Sequence, residues 1–221
     1  TPYGSSAASD VYKRQIQLQF GFLNGLNNMV KARELAKIIN EQIYDLSDAD
    51  FAQQCKRELD EKGVLTLSNF LNANTLKELV EEAENGASQA YYTNSTHNVY
   101  LTKINNNYKP EHVINKQLVS SKGCICTDQI QSDSKLKKLY NSNIFKSFIA
   151  AVVGEKSLFP YEDPLSSINV HYAGAGQELN WHFDNSEVAI PLLLPCPIGG
   201  GEFPDLRDCR NAEKNEMKFR G

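Results

Sequence analysis

The sequence predicts an α+β fold in which helices come first and β-strands follow. Before Gly154, apolar residues recur at helical spacing in several segments; after it, short β-branched and aromatic runs are separated by Gly, Asn and Pro. The chain has 221 residues, of which 41% are hydrophobic and 23% are charged. This length and composition are typical of a globular protein with one full core and room for a helical appendage.

Composition also limits the partners that we expect. The net charge is −4 and the basic residues are scattered, whereas a duplex-binding surface usually shows a basic stripe, so we expect no nucleic-acid partner. Apolar runs fall well short of the about 20 residues that a membrane-spanning helix needs, and nothing near Thr1 is typical of a signal peptide. We therefore expect no membrane contact and a cytoplasmic location. The five cysteines have no repeated spacing, which favours buried or unreactive thiols over a zinc site.

The chain divides into three parts by composition. Residues 1–15 have low apolar content and resemble translated adapter sequence, so we expect an artefactual or disordered leader there. Residues 16–46 are expected to form a helical appendage, because apolar residues from Phe22 to Leu46 recur at helical spacing. The same stretch, 22–46, could join two copies in a homodimer. Residues 47–221 are expected to form the main domain.

Capping residues and stop signals predict the elements of the main domain. The sequence at 47–50 is typical of a helix start, and Gly63 is placed to end that helix after Lys62. The other predicted elements are a strand at 64–67, a helix from Asn72 or Asn74 to Glu84, a helix that Ser134 begins, an apolar helix that Asn143 caps and Gly154 ends, and strands at 168–172, 188–190 and 192–194. The polar region 87–133 predicts either a long functional loop or short strands whose positions cannot be assigned.

One short stretch, Trp181-His182-Phe183-Asp184, offers metal ligands. In a β-strand, residues i and i+2 point to the same face, so the imidazole of His182 and the carboxylate of Asp184 would converge. One carboxylate and two imidazoles, the second from elsewhere in the chain, form the facial triad that holds non-haem Fe(II). The spacing alone is also common in surface pairs and in hydrogen-bonded turns.

The residues around this stretch carry a wider pattern. A strand at 168–172, a Gly-containing turn, the His-x-Asp pair, a leucine strand and Gly-Gly-Gly-Glu-Phe at 199–203 follow one another. This order resembles the first half of the jelly-roll core of Fe(II)/2-oxoglutarate-dependent oxygenases. Segments at 95–101, 121–124 and 163–169 are similar to a bacterial group of hydroxylases and radical halogenases that act on free amino acids and similar small metabolites. The resemblance covers residues 51–221 and implies that the N-terminal helices precede an incomplete double-stranded β-helix, or jelly roll.

The resemblance implies roles for individual residues. It makes His182 and Asp184 the Fe(II) ligands and catalytic residues, with 2-oxoglutarate and O2 as cosubstrates. The halogenases carry a small residue in place of the carboxylate, so Asp184 favours hydroxylation. Asn169 and Tyr172 lie where such enzymes bind 2-oxoglutarate, although Tyr172 could equally be an ordinary strand aromatic.

Five further residues are candidates for contact with a small-molecule substrate. The resemblance suggests that the segment with His97, Asn98 and Tyr100 approaches the substrate, whereas the residues themselves favour a structural polar strand. Asn185 and Ser186 follow the ligands and could line the mouth of the pocket, or form a plain polar turn.

The pattern of the family is incomplete in this sequence. Its distal iron ligand is a late His, followed by an Arg that binds the far carboxylate of 2-oxoglutarate, and here no His follows His182. We therefore expect a chain that stops before the distal half of the jelly roll and is inactive without it. Two other classes stay open: a non-catalytic jelly roll that binds a small metabolite, and a helical interaction protein that assembles through 22–46.

Overall fold

The computed structural model describes residues 33–183, 190–194, 210–211 and 216–217. Its helices and strands, in chain order, are α1 (Ala49–Lys62), α2 (Ala73–Gly86), β1 (Tyr91–His97), β2 (Leu118–Ile125), α3 (Lys135–Asn141), α4 (Asn143–Val153), β3 (Val170–Tyr172), β4 (Arg210–Asn211) and β5 (Glu216–Met217). Helices and a three-stranded antiparallel sheet in one chain are compatible with the predicted α+β class. The predicted order of helices before strands is wrong, because β1 and β2 precede α3 and α4. No helix within these described ranges is long and apolar enough to cross a membrane.

The main sheet has three antiparallel strands in the order β1-β2-β3. β1 pairs with β2 over its whole length, from Tyr91 opposite Cys124 to His97 opposite Leu118. β3 pairs only with the far end of β2, where Tyr172 lies opposite Gly123. The two-residue strands β4 and β5 pair with each other.

Local capping chemistry explains where the helices begin and end. The carboxylate of Asp48 accepts a hydrogen bond from the Asp50 N–H at the start of α1, and Gly63 ends that helix with a φ of 78° that glycine adopts without strain. The side chain of Asn72 caps α2 in the same way. At α4 the cap is Ser142 rather than Asn143, and Gly154 ends the helix as predicted.

The main hydrophobic core lies between α1, α4 and the segment that precedes α1. Phe51 of α1 stacks on Phe148 of α4 with ring centroids 5.5 Å apart. Leu35, Ile38 and Ile39 are buried in the same core. This segment therefore packs inside the domain, where an appendage was expected.

The helix predicted through Leu46 is wrong beyond residue 36. The chain turns at 37–38, Ile39 forms an antiparallel bridge with Leu71, and the Asn40 N–H donates to the carbonyl of Phe70. Most apolar residues of this part are buried within the chain, whereas Ile43 is exposed. Residues 22–32 lie outside the described residues, and dimerisation through 22–46 stays a prediction.

Three strand predictions also differ from the structure. Residues 64–67 are irregular, and Leu65 and Leu67 pack against the core without ladder bonds. Residues 190–194 are irregular as well, while 188–189 lie outside the described residues. The polar region 87–133, for which no strand could be assigned, contains both β1 and β2. Their pairing joins distant segments, and the polar side chains of β1 leave no apolar alternation in the sequence.

Candidate functional site

Two of the four histidines of the chain meet at one end of the main sheet. The ring centroids of His97 and His182 lie 5.8 Å apart, and the rings are inclined at 80°. His97 is the last residue of β1, and His182 lies in the irregular segment that follows β3. The predicted iron ligand thus contacts a residue of the predicted substrate segment.

The path of the chain after β3 explains why His182 reaches this place. The chain continues along the same edge of β2, where Ser121 N–H donates to the Glu178 carbonyl and Leu179 bridges Ser120. It then passes the beginning of β2 and meets the end of β1. There the N–H of Phe183 donates to the carbonyl of Val99 over 2.7 Å.

Ring packing reinforces this hydrogen bond. The ring centroids of Tyr100 and Phe183 are 5.5 Å apart; Tyr100 lies three residues after His97, and Phe183 lies one residue after His182. One backbone hydrogen bond and two ring contacts therefore hold residues 97–100 against residues 182–183.

A compact turn after β1 fixes the position of His97. The Asn98 side chain is only 1% exposed, and its amide bonds to the backbone of Tyr100 and Thr102. Within the turn, Leu101 has a φ of 55°, a left-handed conformation that is rare for a residue with a β-carbon. Asn98 therefore has a clear structural task, and its predicted substrate contact stays a prediction.

The hydrogen bonds of the two imidazoles define their tautomers. His97 Nδ1 lies 3.0 Å from the carbonyl oxygen of Asn98, and His182 Nδ1 lies 2.8 Å from that of Asn180. Because a carbonyl oxygen only accepts, each Nδ1 carries the proton, and a neutral ring then has its lone pair on Nε2. Metal-binding histidines commonly use this arrangement.

The Nε2 atom of His97 is buried, and in the described part of the chain it has no hydrogen-bond partner. A buried polar atom without a partner costs about 1–3 kcal/mol, so such atoms are rare and call for an explanation. A metal ion is one partner that would satisfy a lone pair at this position. The two imidazoles therefore fit as two of the three protein ligands of the non-haem iron that the sequence pattern implies.

The third ligand of the predicted triad, Asp184, lies outside the described residues, as do Asn185 and Ser186. Over the residues that are described, no group of three or more His, Cys, Asp or Glu side chains is arranged to hold a metal ion. The structure accordingly shows a pair of imidazoles, while the carboxylate remains a prediction from the sequence.

The structure does not bring Asn169 and Tyr172 to the histidine pair. Tyr172 lies opposite Gly123, five residues along β2 from the partner of His97, and this spacing corresponds to about 17 Å. Strand alternation also places Tyr172 and His97 on opposite faces of the sheet. A molecule as small as 2-oxoglutarate cannot contact both.

The Tyr172 hydroxyl instead joins the sheet to a helix. It donates to the carbonyl oxygen of Ala83 in α2 over 2.7 Å, and burial raises the pKa of the phenol. The exposed Asn169 donates to the Ser166 carbonyl and so holds a turn before β3. Their predicted binding of 2-oxoglutarate stays a prediction.

An open groove of about 660 Å³ lies beside His97. Its lining combines polar groups, among them one cationic side chain, with apolar surface, and the residues are Thr96, His97, Leu101, Thr102, Lys103, Ile104, Asn106 and Gln117. Sequence reasoning missed Lys103 and Gln117, because each belongs to a polar loop without a motif. The only available signal was their nearness in sequence to His97 and to the start of β2.

Comparison with known proteins finds no relative of this chain. No protein-family model matches it, and no curated protein and no solved structure shows significant similarity. The resemblance to the oxygenases therefore depends on the motifs of the sequence, and what it implies is taken up below as a proposal.

Proposed function

We propose that this protein is an Fe(II)- and 2-oxoglutarate-dependent dioxygenase that hydroxylates a free amino acid or a similar small metabolite. The described sheet would then be part of a jelly roll. The observation that carries the proposal is the contact between His182 of the His-x-Asp motif and His97 of the upstream segment, since both segments belong to the sequence pattern of that family.

His182 and Asp184 would hold the iron, which, when bound, supplies the site where O2 and 2-oxoglutarate react. The contribution of this chain is the orientation of its ligands. The bond from His182 Nδ1 to the Asn180 carbonyl fixes the ring and keeps the lone pair on Nε2. A metal ligand that needs no reorientation loses less conformational freedom when the ion binds.

The groove beside His97 supports a small polar substrate. Lys103 contributes a positive charge to its lining, and Thr96, Thr102 and Gln117 contribute hydrogen-bonding groups. A free amino acid carries a carboxylate that matches the lysine and an ammonium group that side-chain oxygens can accept from.

The test uses the product of the complete coding sequence. Fe(II) and 2-oxoglutarate added without O2 should produce a visible charge-transfer band, and O2 with the right amino acid should then yield succinate. His182→Ala and Asp184→Ala should abolish both signals, whereas His112→Ala should leave them unchanged, because His112 lies in an exposed turn.

Two results would contradict the proposal. Succinate formation that survives both ligand substitutions would remove His182 and Asp184 from the chemistry. Saturable binding of an amino acid, with no charge-transfer band and no succinate, would instead identify a non-catalytic binding module.

A further inference from the structure

We propose that His97 is a metal ligand, and that His97 and His182 together bind one divalent transition-metal ion through their Nε2 atoms. The inference rests on the proposed function only for the identity of the native metal. The pair itself is argued from geometry, and it would supply the second imidazole that the His-x-Asp motif lacks.

The first argument is the separation of the rings. An ion about 2.1 Å from each donor nitrogen lies about 3.2 Å from each ring centre. Two imidazoles on one ion then have centroids about 5.2 Å apart at the tetrahedral angle and about 4.5 Å apart at the 90° angle of octahedral or tetragonal coordination. The observed separation is 5.8 Å. The rings would therefore have to approach by about 0.6 Å to hold a tetrahedral ion and by about 1.3 Å to hold an octahedral one. The mutual inclination of 80° keeps the two rings from stacking face to face.

The second argument is the chemistry of the nitrogens. Both rings donate Nδ1–H to a backbone carbonyl, so the lone pair of each neutral ring lies on Nε2. The Nε2 atom of His97 is buried and unpartnered among the described residues. An ion at this position would satisfy the lone pair of that buried acceptor.

The third argument is how firmly the ligands are held. His97 ends a fully paired strand, and the carbonyl that holds its ring belongs to the buried Asn98 turn. The hydrogen bond from Phe183 to Val99 fixes the two segments next to the rings. Sites whose ligands are fixed in this way bind metals with little reorganisation.

The test is a titration with Cu(II) and Ni(II), which bind imidazole nitrogens strongly. Trp181 is the only tryptophan of the chain and precedes His182 directly, so a paramagnetic ion at the pair should quench its fluorescence. His97→Asn should weaken binding at least tenfold while its amide can still donate to the Asn98 carbonyl. His182→Asn should do the same. The matched controls are His112→Asn and His171→Asn, which should bind as the wild type does.

The electron paramagnetic resonance spectrum of the Cu(II) protein gives a second readout. It should show hyperfine coupling to at least two imidazole nitrogens in the wild type, and to one fewer in His97→Asn. Retained affinity and an unchanged nitrogen count in a folded His97→Asn protein would overturn the inference. Equal losses in the His112 and His97 variants would overturn it too, because binding would then be unspecific.

The two proposals fail in different ways. If Cu(II) binds through both histidines but no succinate forms under any condition, the inference that the two histidines bind a metal is supported and the proposed oxygenase activity is contradicted. If His97→Asn keeps both the charge-transfer band and turnover, the oxygenase stands and His97 is not a ligand.

Discussion

The buried residue Asn98 influences the geometry of the histidine pair. Its carbonyl accepts from both His97 Nδ1 and the Leu101 N–H, while its amide satisfies the backbone of Thr102. Replacing this residue therefore acts on the turn and on the ligand together. We therefore expect substitutions in this turn to change metal affinity through the position of His97, even where the replaced residue does not contact the metal.

Asn98→Ala should lower the free energy of unfolding by about 1–3 kcal/mol, because the N–H groups of Tyr100 and Thr102 lose a buried acceptor. Cu(II) affinity should fall as well, since His97 adjoins the loosened turn. Urea denaturation and the tryptophan-quenching titration measure the two effects. Asn107→Ala is the matched control, because the Asn107 side chain is exposed, and a change within about 0.5 kcal/mol is expected. Equal stability of the two variants would show that the turn does not depend on Asn98.

At the scale of elements, the two ends of β2 contact different parts of the molecule. Its first residue, Leu118, lies beside His97, while Gly123 near its other end faces Tyr172 and, through it, α2. A strand spaces residues by about 3.3 Å each, so its ends serve different neighbours. The sheet therefore holds the histidine pair at one end and is fastened to the helices at the other.

Tyr172→Phe should destabilise the protein by about 1 kcal/mol, because the carbonyl of Ala83 loses its hydrogen bond. Metal affinity should stay the same, since the hydroxyl lies far from the histidines. Tyr91→Phe, on an exposed position of the same sheet at 75% exposure, is the control. A fall in 2-oxoglutarate affinity with unchanged stability would instead favour the cosubstrate role that the sequence pattern implies.

The same residue gives a pH dependence. Burial, with smaller contributions from Tyr92 and Cys124, raises the pKa of Tyr172 above its ordinary value of 10.0. The phenol of Tyr172 therefore keeps its proton to a higher pH in the folded state than in the unfolded state. Its contribution to the free energy of unfolding is complete below pH 10 and is lost as the pH rises through the folded pKa. Wild-type stability should decline more steeply above pH 10 than that of Tyr172→Phe, as chemical denaturation over that range would measure. Parallel declines would contradict the assignment.

At the scale of the whole molecule, one core collects residues from widely separated parts of the described chain. Leu35 and Ile39 pack there with α1 and α4, and Leu192 and Leu194 are partly buried against it. The segment before α1 is therefore expected to unfold together with the rest of the domain.

Ile39→Ala and Ile43→Ala test this expectation as a pair. Ile39 is 2% exposed and Ile43 is 54% exposed. Loss of the buried side chain should cost about 2–5 kcal/mol, and loss of the exposed one about 0.5 kcal/mol or less. Urea denaturation followed by circular dichroism provides the measurement. A small, similar loss in both variants would indicate that the segment is an independent appendage after all.

The sequence predicted those parts of the fold that local chemistry decides. Asp48, Gly63 and Asn72 act through atoms a few residues away. Without knowledge of the fold, the helix start could therefore be placed within 47–50, its end at Gly63, and the next cap at Asn72 or Asn74. β1 could not be identified, because its polar residues form a strand only through pairing with β2. His182 was singled out by its motif, whereas its contact with His97 depends on the chain passing along the edge of β2, which no local pattern encodes.

Because the Phe183 N–H donates to the Val99 carbonyl, the hydrogen-exchange rate of this amide reports how often the two segments of the site separate. Residues 181–183 are irregular, and exposed amides in such a segment exchange their hydrogens with solvent rapidly. The Phe183 hydrogen can leave only when its segment separates from the residues after β1. Its exchange rate, followed by NMR, would therefore report how often the two histidines part, and a bound ion that ties them together would slow that rate in proportion to its affinity.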